Sequence, residues 1–245
     1  MLERIKSILC NVKCSHAARE LATAIEIAKN NDFSYLEFLD NLLGHEISNR
    51  NRNKIERNQK QAHFPSIKTI DEFDFRFQTS INKREIKEWM TFSWIDQRMN
   101  KILMGPPGVG KTHLTLATGF SAVHQGYKVI FHTMKGLLDE MIIADSEKTF
   151  DKYLKKILKY DLIIIDELGY LPLQPVYGNL FFQFVNRCYE YRSIMITSNK
   201  LFSEWGTFFG NQTIAAAILD RLLHHSESIV LNGDSYRLKN VSSNL

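Results

Sequence analysis

No stretch of this chain approaches the roughly eighteen consecutive apolar residues of a membrane-spanning helix. The N-terminus also lacks the apolar run of a secretion signal, so neither a span nor export is expected. Cysteine is scarce and odd in number: Cys10, Cys14 and Cys188. That excludes a disulfide framework and fits a reducing cytoplasm. Cys10 and Cys14 have His16 nearby, but no second pair completes four metal ligands. Their spacing reads instead as one helical turn burying two small residues. Internal repeats and low-complexity segments are missing too. So is a strong charge of either sign: 31 basic against 27 acidic residues leave +4. This permits an anionic partner without demanding one, and local clustering matters more.

What is present is a globular composition, 44% apolar and 24% charged over 245 residues, enough for one large core with a smaller module. Residues 17–62 read as helix, with Leu21, Ile25 and Ala28, then Phe33, Leu36, Leu39, Leu42 and Leu43, at helical spacing. Asn31-Asp32 between them is a plausible turn and N-cap. Within 48–60, Arg50, Arg52, Lys54, Arg57 and Lys60 face the single acid Glu56. Pro65 ends that helix. The aromatic segment 70–77, IDEFDFRF, suits a linker packed on a neighbouring domain. Residues 83–98 return to helix, with Trp89, Phe92 and Trp94 as packing residues.

From Lys101 the texture changes. Short apolar runs at 101–104, 128–132, 162–166, 193–197 and 228–231 alternate with helical stretches at 111–125, 134–144, 149–159, 177–191 and 213–224. Such alternation predicts an α/β fold, a five-stranded parallel sheet covered on both faces. The expected organisation is a helical module at 1–64, linker and packing helices at 65–100, and the α/β domain at 101–245.

Gly105-Pro106-Pro107-Gly108-Val109-Gly110-Lys111-Thr112 follows the first strand and opens a helix. Glycines let backbone N–H groups curl around a phosphate, which the helix N-terminus also favours. Lys111 suits the β- and γ-phosphates of ATP, and the Thr112 hydroxyl suits Mg²⁺. His113 extends this binding segment and reads as a packing or cap residue. A buried strand ending in Asp166 places a second Mg²⁺-holding group beside the loop. Glu167 can then orient and deprotonate an attacking water. Asn199, after the strand 193–197, is aimed between the γ-phosphate and that water; on its own, TSN is only a turn signal.

The runs GPPGVGKTHL (105–114), IIIDELGYLPL (163–173), TSNKLFSEW (197–205), AAAILDRLLHHS (215–226) and GDSYRLK (233–239) together resemble the IstB-like helper ATPases of insertion sequences. That family sits with the helicase loader DnaC in a branch of the AAA+ ATPases. The resemblance implies a P-loop AAA+ core and a Mg²⁺-dependent ATPase that forms a homo-oligomer on double-stranded DNA and serves a partner transposase. It makes Lys111 and Thr112 the Walker A residues, Asp166 and Glu167 Walker B, and Asn199 sensor 1. Arg221 falls where the family has an arginine finger acting in a neighbouring subunit, with Asp220 expected to orient it. Arg237 is a candidate second arginine.

Arg50, Lys54 and Arg57 share a helix face at i, i+4 and i+7. With Arg52 and Lys60 they are the candidate DNA contacts, suited to phosphates rather than base readout. A solvated surface helix is the plain alternative. His224 and His225, adjacent in sequence, are expected not to share one helix face as metal ligands. Competing functions are a DnaC-like helicase loader, a small-molecule kinase and a non-hydrolysing DNA clamp. The adjacent Asp166 and Glu167 favour water over a metabolite as acceptor.

Overall fold

The five apolar runs of the second half pair as parallel strands, β1 (Asn100–Met104), β2 (Val129–Thr133), β3 (Leu162–Leu168), β4 (Ser193–Ser198) and β5 (Ser226–Val230). Their order across the sheet is β2-β3-β4-β1-β5. The computed structural model describes residues 1–169 and 175–238. The GYLPL segment beyond Gly169 and residues 239–245 of the expected α/β domain therefore lie outside the described residues. Both faces of the sheet are covered, which is why β1 and β4 are buried along their whole length. One side is packed by α7 (Met134–Ser146), α8 (Phe150–Ile157), α9 (Pro175–Cys188), the short α10 (Trp205–Phe208) and α11 (Gln212–His224). Their core includes Leu137, Met141, Phe181, Phe184, Trp205, Phe209 and Ile218. The helix α6 (Lys111–His124) leaves the C-terminal end of β1.

Ahead of the sheet lie α1 (Leu2–Asn11), α2 (Ser15–Asn30), α3 (Tyr35–Gln61), α4 (Lys83–Trp89) and α5 (Ser93–Asp96). By contacts the chain divides into two compact units, Met1–Arg57 and Asn58–Leu245, and the division falls inside α3. No helix among the described residues is long and apolar enough to cross a membrane.

In the first unit, Ala17, Leu21 and Ala24 of α2 pack with Leu42 and Phe38 of α3. Glu46 of α3, 5% exposed, accepts the N–H groups of His16 (2.9 Å) and Ala17 (2.8 Å) at the start of α2. It thereby satisfies two donors that the first helical turn leaves open. Phe38, Leu42 and Glu46 lie four residues apart, so this line is the packing face of α3. Leu36, Leu39 and Leu43, which share the helical spacing, lie off that line and are exposed. Cys10 lies on α1 and is exposed rather than buried, while Cys14 is half-buried at the N-cap of α2.

The helix expected over 83–98 is two short ones, because Phe92 turns into the left-handed region at φ 59°. That break lets Trp89, Phe92 and Trp94 all be buried. Trp89 and Trp94 flank the ammonium of Lys101, at 4.8 and 5.5 Å from their ring centres, and Lys101 pairs with Glu227 of β5. Neighbouring Asn100 bridges three elements. Its Nδ2 donates to the carbonyl of Leu222 on α11 (3.0 Å), and its Oδ1 accepts the N–H of Ile194 on β4 (2.9 Å).

Candidate nucleotide site

A cavity of about 300 Å³ opens where the C-terminal ends of β1, β3 and β4 meet. Its floor is the loop from β1 into α6. Gly108 and Gly110 hold φ of 85° and 97°, a region that side-chain-bearing residues avoid. Gly110 also lies under the Phe73 ring, so closely that an added Cβ would stand 2.7 Å from Phe73 Cε2. It caps α6 with no side-chain acceptor, leaving the first N–H groups of that helix facing the loop. Val109 is buried beneath the loop, and its carbonyl accepts from Gln78 Nε2 at 3.1 Å.

Lys111 Nζ donates to the carbonyls of Gly105 (2.6 Å) and Pro106 (2.8 Å), closing the loop on itself. Burial pushes its pKa down, Asp166 opposes that, and the nearby Arg237 guanidinium pushes the same way as burial. The ammonium is thus held in a place that favours an added anion. The Thr112 hydroxyl lies 3.0 Å from both carboxylate oxygens of Asp166, which is 3% exposed. Thr197 on β4 donates its hydroxyl to the same carboxylate. The register of β3 against β4 shifts between Ile165 and Leu168, and within that irregularity Glu167 takes φ 66°. The kink turns Glu167 out of the alternation that buries Asp166, so its side chain is exposed and lines the cavity. Asn199 lines it from the end of β4, and its Oδ1 is buried without a hydrogen-bond partner.

The structure therefore brings Gly108, Val109, Gly110, Lys111, Thr112, Glu167 and Asn199 to one cavity, with Asp166 directly behind Thr112. His113 is there as well, its Nε2 2.9 Å from the Thr69 carbonyl and its ring against Phe73. Arg237 lines the same cavity. The basic residues Arg50, Arg52, Lys54 and Arg57 lie in the first compact unit and Lys60 in the second. All five are exposed, but Arg50 is committed locally: its Nε donates to Glu46 at 2.7 Å, and its Nη2 to the Lys13 carbonyl.

Arg221 is absent from the lining of its own chain's cavity. Its Nε donates to Asn186 Oδ1 (2.8 Å), its Nη1 to the Ala217 carbonyl (3.0 Å), and its guanidinium lies 4.8 Å from the Phe182 ring centre. Asp220 does not orient it, because consecutive helix residues point about 100° apart. Asn186 and Phe182 on α9 take that part, and no spacing in the sequence links them to Arg221. Sequence reasoning also missed Thr197 and the cavity wall. Phe73, Phe77, Gln78 and Tyr236 build that wall from both ends of the domain, with Tyr236 N–H donating to the Gly108 carbonyl at 3.0 Å. The early signals were the aromatic density of 70–77 and the GDSYRLK run at 233–239.

Residues 7–244 match the family model described as IstB-like ATP binding protein. The chain is 39% identical over 97% of its length to a Pseudomonas aeruginosa protein named for insertion sequence IS21 and ATP binding, spanning 90% of that relative. It is 41% identical over 98% of its length to the Geobacillus stearothermophilus protein named likewise for insertion sequence IS5376, spanning 95% of it. Among solved structures, AMPPCP-bound DnaA from Aquifex aeolicus aligns with a TM-score of 0.57 at 19% identity, over 74% of this chain and 55% of that one. The DnaC helicase loader aligns at 0.53 and 20%, over 72% and 99%. These two likenesses carry the fold, a P-loop AAA+ core. By the family match and the close relatives together, the chain belongs to the IstB-like ATP-binding proteins of insertion sequences.

Proposed function

We propose that this chain is an ATP-hydrolysing helper of transposition that assembles on duplex DNA with ATP and presents that DNA to a partner transposase. The observation that carries the reading is the exposed Glu167 carboxylate, turned into the cavity beside Lys111 and the Thr112–Asp166 pair. The left-handed backbone of Glu167, φ 66°, is what turns the carboxylate out of the alternation of β3.

The residues present fit ATP and Mg²⁺. The glycine loop is a cradle of open N–H donors, Lys111 currently spends its charge on two carbonyls, and the Asn199 carboxamide oxygen lacks a partner. Thr112 and Asp166 would hold the metal ion, which when bound neutralises charge on the β- and γ-phosphates. Lys111 exchanges its carbonyl partners for phosphate oxygens. Glu167 takes the proton of the attacking water, and Asn199 orients that water. Phe73, Phe77 and Tyr236 enclose the remaining cavity as an apolar wall for the base.

Arg221 supports assembly, because it lies outside its own cavity yet is held as a preformed guanidinium by Asn186 and Phe182. In this reading it serves a neighbouring subunit's site, where an arginine finger is worth on the order of a thousandfold or more in rate. Residues 1–64 supply the DNA and partner contacts, 65–100 the linker, and 101–245 the ATPase. Since Arg50 is shared with Glu46, Arg52, Lys54, Arg57 and Lys60 carry the larger part of phosphate neutralisation. The insertion-sequence names of the relatives support the transposase as partner.

Sizing the protein with ATP, with and without duplex DNA, tests the proposal. A nucleotide-dependent oligomer that grows on duplex is expected. A monomer under every condition would remove the reason for Arg221 and overturn the assembly.

A further inference from the structure

His224 and His225 come together in a way their adjacency in sequence hides. The helix α11 ends at His224, and His225 leaves it at φ −130°, ψ 73° before β5 begins. The two imidazoles consequently converge, their ring centres 4.1 Å apart. The expectation that neighbours cannot share a face holds only while both are helical. Across from them, Glu190 sits in the turn after α9 in the left-handed conformation, φ 61°. One ligand atom from each of Glu190, His224 and His225 lies within 4.8 Å of the others, and all three residues are exposed.

We infer that Glu190, His224 and His225 form a binding site for a borderline divalent transition-metal ion of the zinc type, separate from the nucleotide cavity. Two imidazoles and a carboxylate are a donor set for such an ion, not for Mg²⁺ or Ca²⁺, which take oxygen. Bonds of about 2.0–2.2 Å require ligand atoms roughly 3.4 Å apart in a tetrahedron. Closing from 4.8 Å is a rotamer adjustment open to exposed side chains. Three protein ligands leave a further position for water.

The surroundings also suit the site. Tyr189 Oη lies 2.8 Å from His224 Nδ1. In the tautomer that leaves Nε2 free for a metal, Nδ1–H donates to the tyrosine oxygen. Tyr189 thus orients His224, the usual duty of a group just behind a metal site.

The test is titration of the intact, nucleotide-free protein with Co²⁺, read by visible absorption and equilibrium dialysis, then displacement by Zn²⁺. One equivalent is expected to bind, with nitrogen and oxygen ligand bands and no thiolate charge transfer. His224→Ala, His225→Ala and Glu190→Gln should each weaken binding by at least about tenfold, and Tyr189→Phe by less. The Cys10→Ser/Cys14→Ser double variant should bind as before, and circular dichroism should report an unchanged fold for these exposed positions. No binding to the wild-type protein would overturn the site. So would full affinity in both histidine variants, or a thiolate band that disappears with Cys10 and Cys14.

Discussion

The Thr197 hydroxyl donates to the Asp166 carboxylate, and the same oxygen accepts the backbone N–H of Glu167 at 3.0 Å. A single side chain on β4 thereby fixes both acids of β3, holding one inward and the other at the kink that turns it outward. Thr197 also lines the cavity, and in the proposed hydrolysis it acts through the two acids as a positioning residue. Thr197→Val is expected to lower kcat about ten- to a hundredfold while the nucleotide KM changes little. Thr197→Ser, which keeps the oxygen, should restore most of the rate. Steady-state kinetics of the three proteins check this; a raised KM at constant kcat would speak against it.

The loop glycines are not equivalent to glycines elsewhere. At Gly110 an alanine meets two obstacles, a left-handed backbone worth about 1–2 kcal/mol and the ring of Phe73. Gly110→Ala should lower the melting temperature and weaken ATP binding together. Gly44 is the control, since it lies inside α3 with nothing within 4 Å of an added Cβ. Gly44→Ala should stabilise by about 1 kcal/mol or less, through helix propensity alone. Thermal melts and nucleotide titration of both variants read out the opposite signs.

Burial by itself would raise the Glu46 carboxyl above its ordinary 4.5, but the N–H of Ala17, the Arg50 guanidinium and the N–H of His16 together pull it below. A folded pKa below the unfolded one means that the stabilisation is complete above the unfolded value and lost as pH falls through the folded one. Glu46→Ala should therefore loosen α2 at neutral pH. The gap between variant and wild type should close in acid, as pH falls through the lowered folded pKa, below the ordinary 4.5. Hydrogen-exchange protection of α2 in the full chain, compared at both pH values, measures it.

Much of the sheet was legible because a strand buried on both faces must be apolar throughout, as residues 162–165 are. Lys111, Thr112 and Asp166 were legible because phosphate and metal chemistry restricts residue type at fixed spacing. The wall made by Phe73, Phe77 and Tyr236 was not, since it joins segments separated by some hundred and sixty positions. The break at Phe92 escaped notice because aromatic spacing resembles a helix on either side of it, and only the tertiary gain from burying both tryptophans explains the turn. Leu36 and Leu39 lie in the helix their spacing indicates, yet outside the face that Phe38, Leu42 and Glu46 establish, which spacing alone does not distinguish. The convergence of His224 and His225 depends on where one helix stops, the least legible property of a sequence.

The trans role of Arg221 is tested most directly by mixing two inactive proteins. Arg221→Ala should bind ATP and lose hydrolysis, and Lys111→Ala should lose nucleotide binding while keeping its own Arg221. In mixed oligomers, a Lys111→Ala subunit lends Arg221 to the intact cavity of an Arg221→Ala neighbour. ATP turnover is therefore expected to reappear on mixing and to follow the fraction of hybrid interfaces. Absence of any turnover in oligomers confirmed to contain both subunits would contradict a shared site.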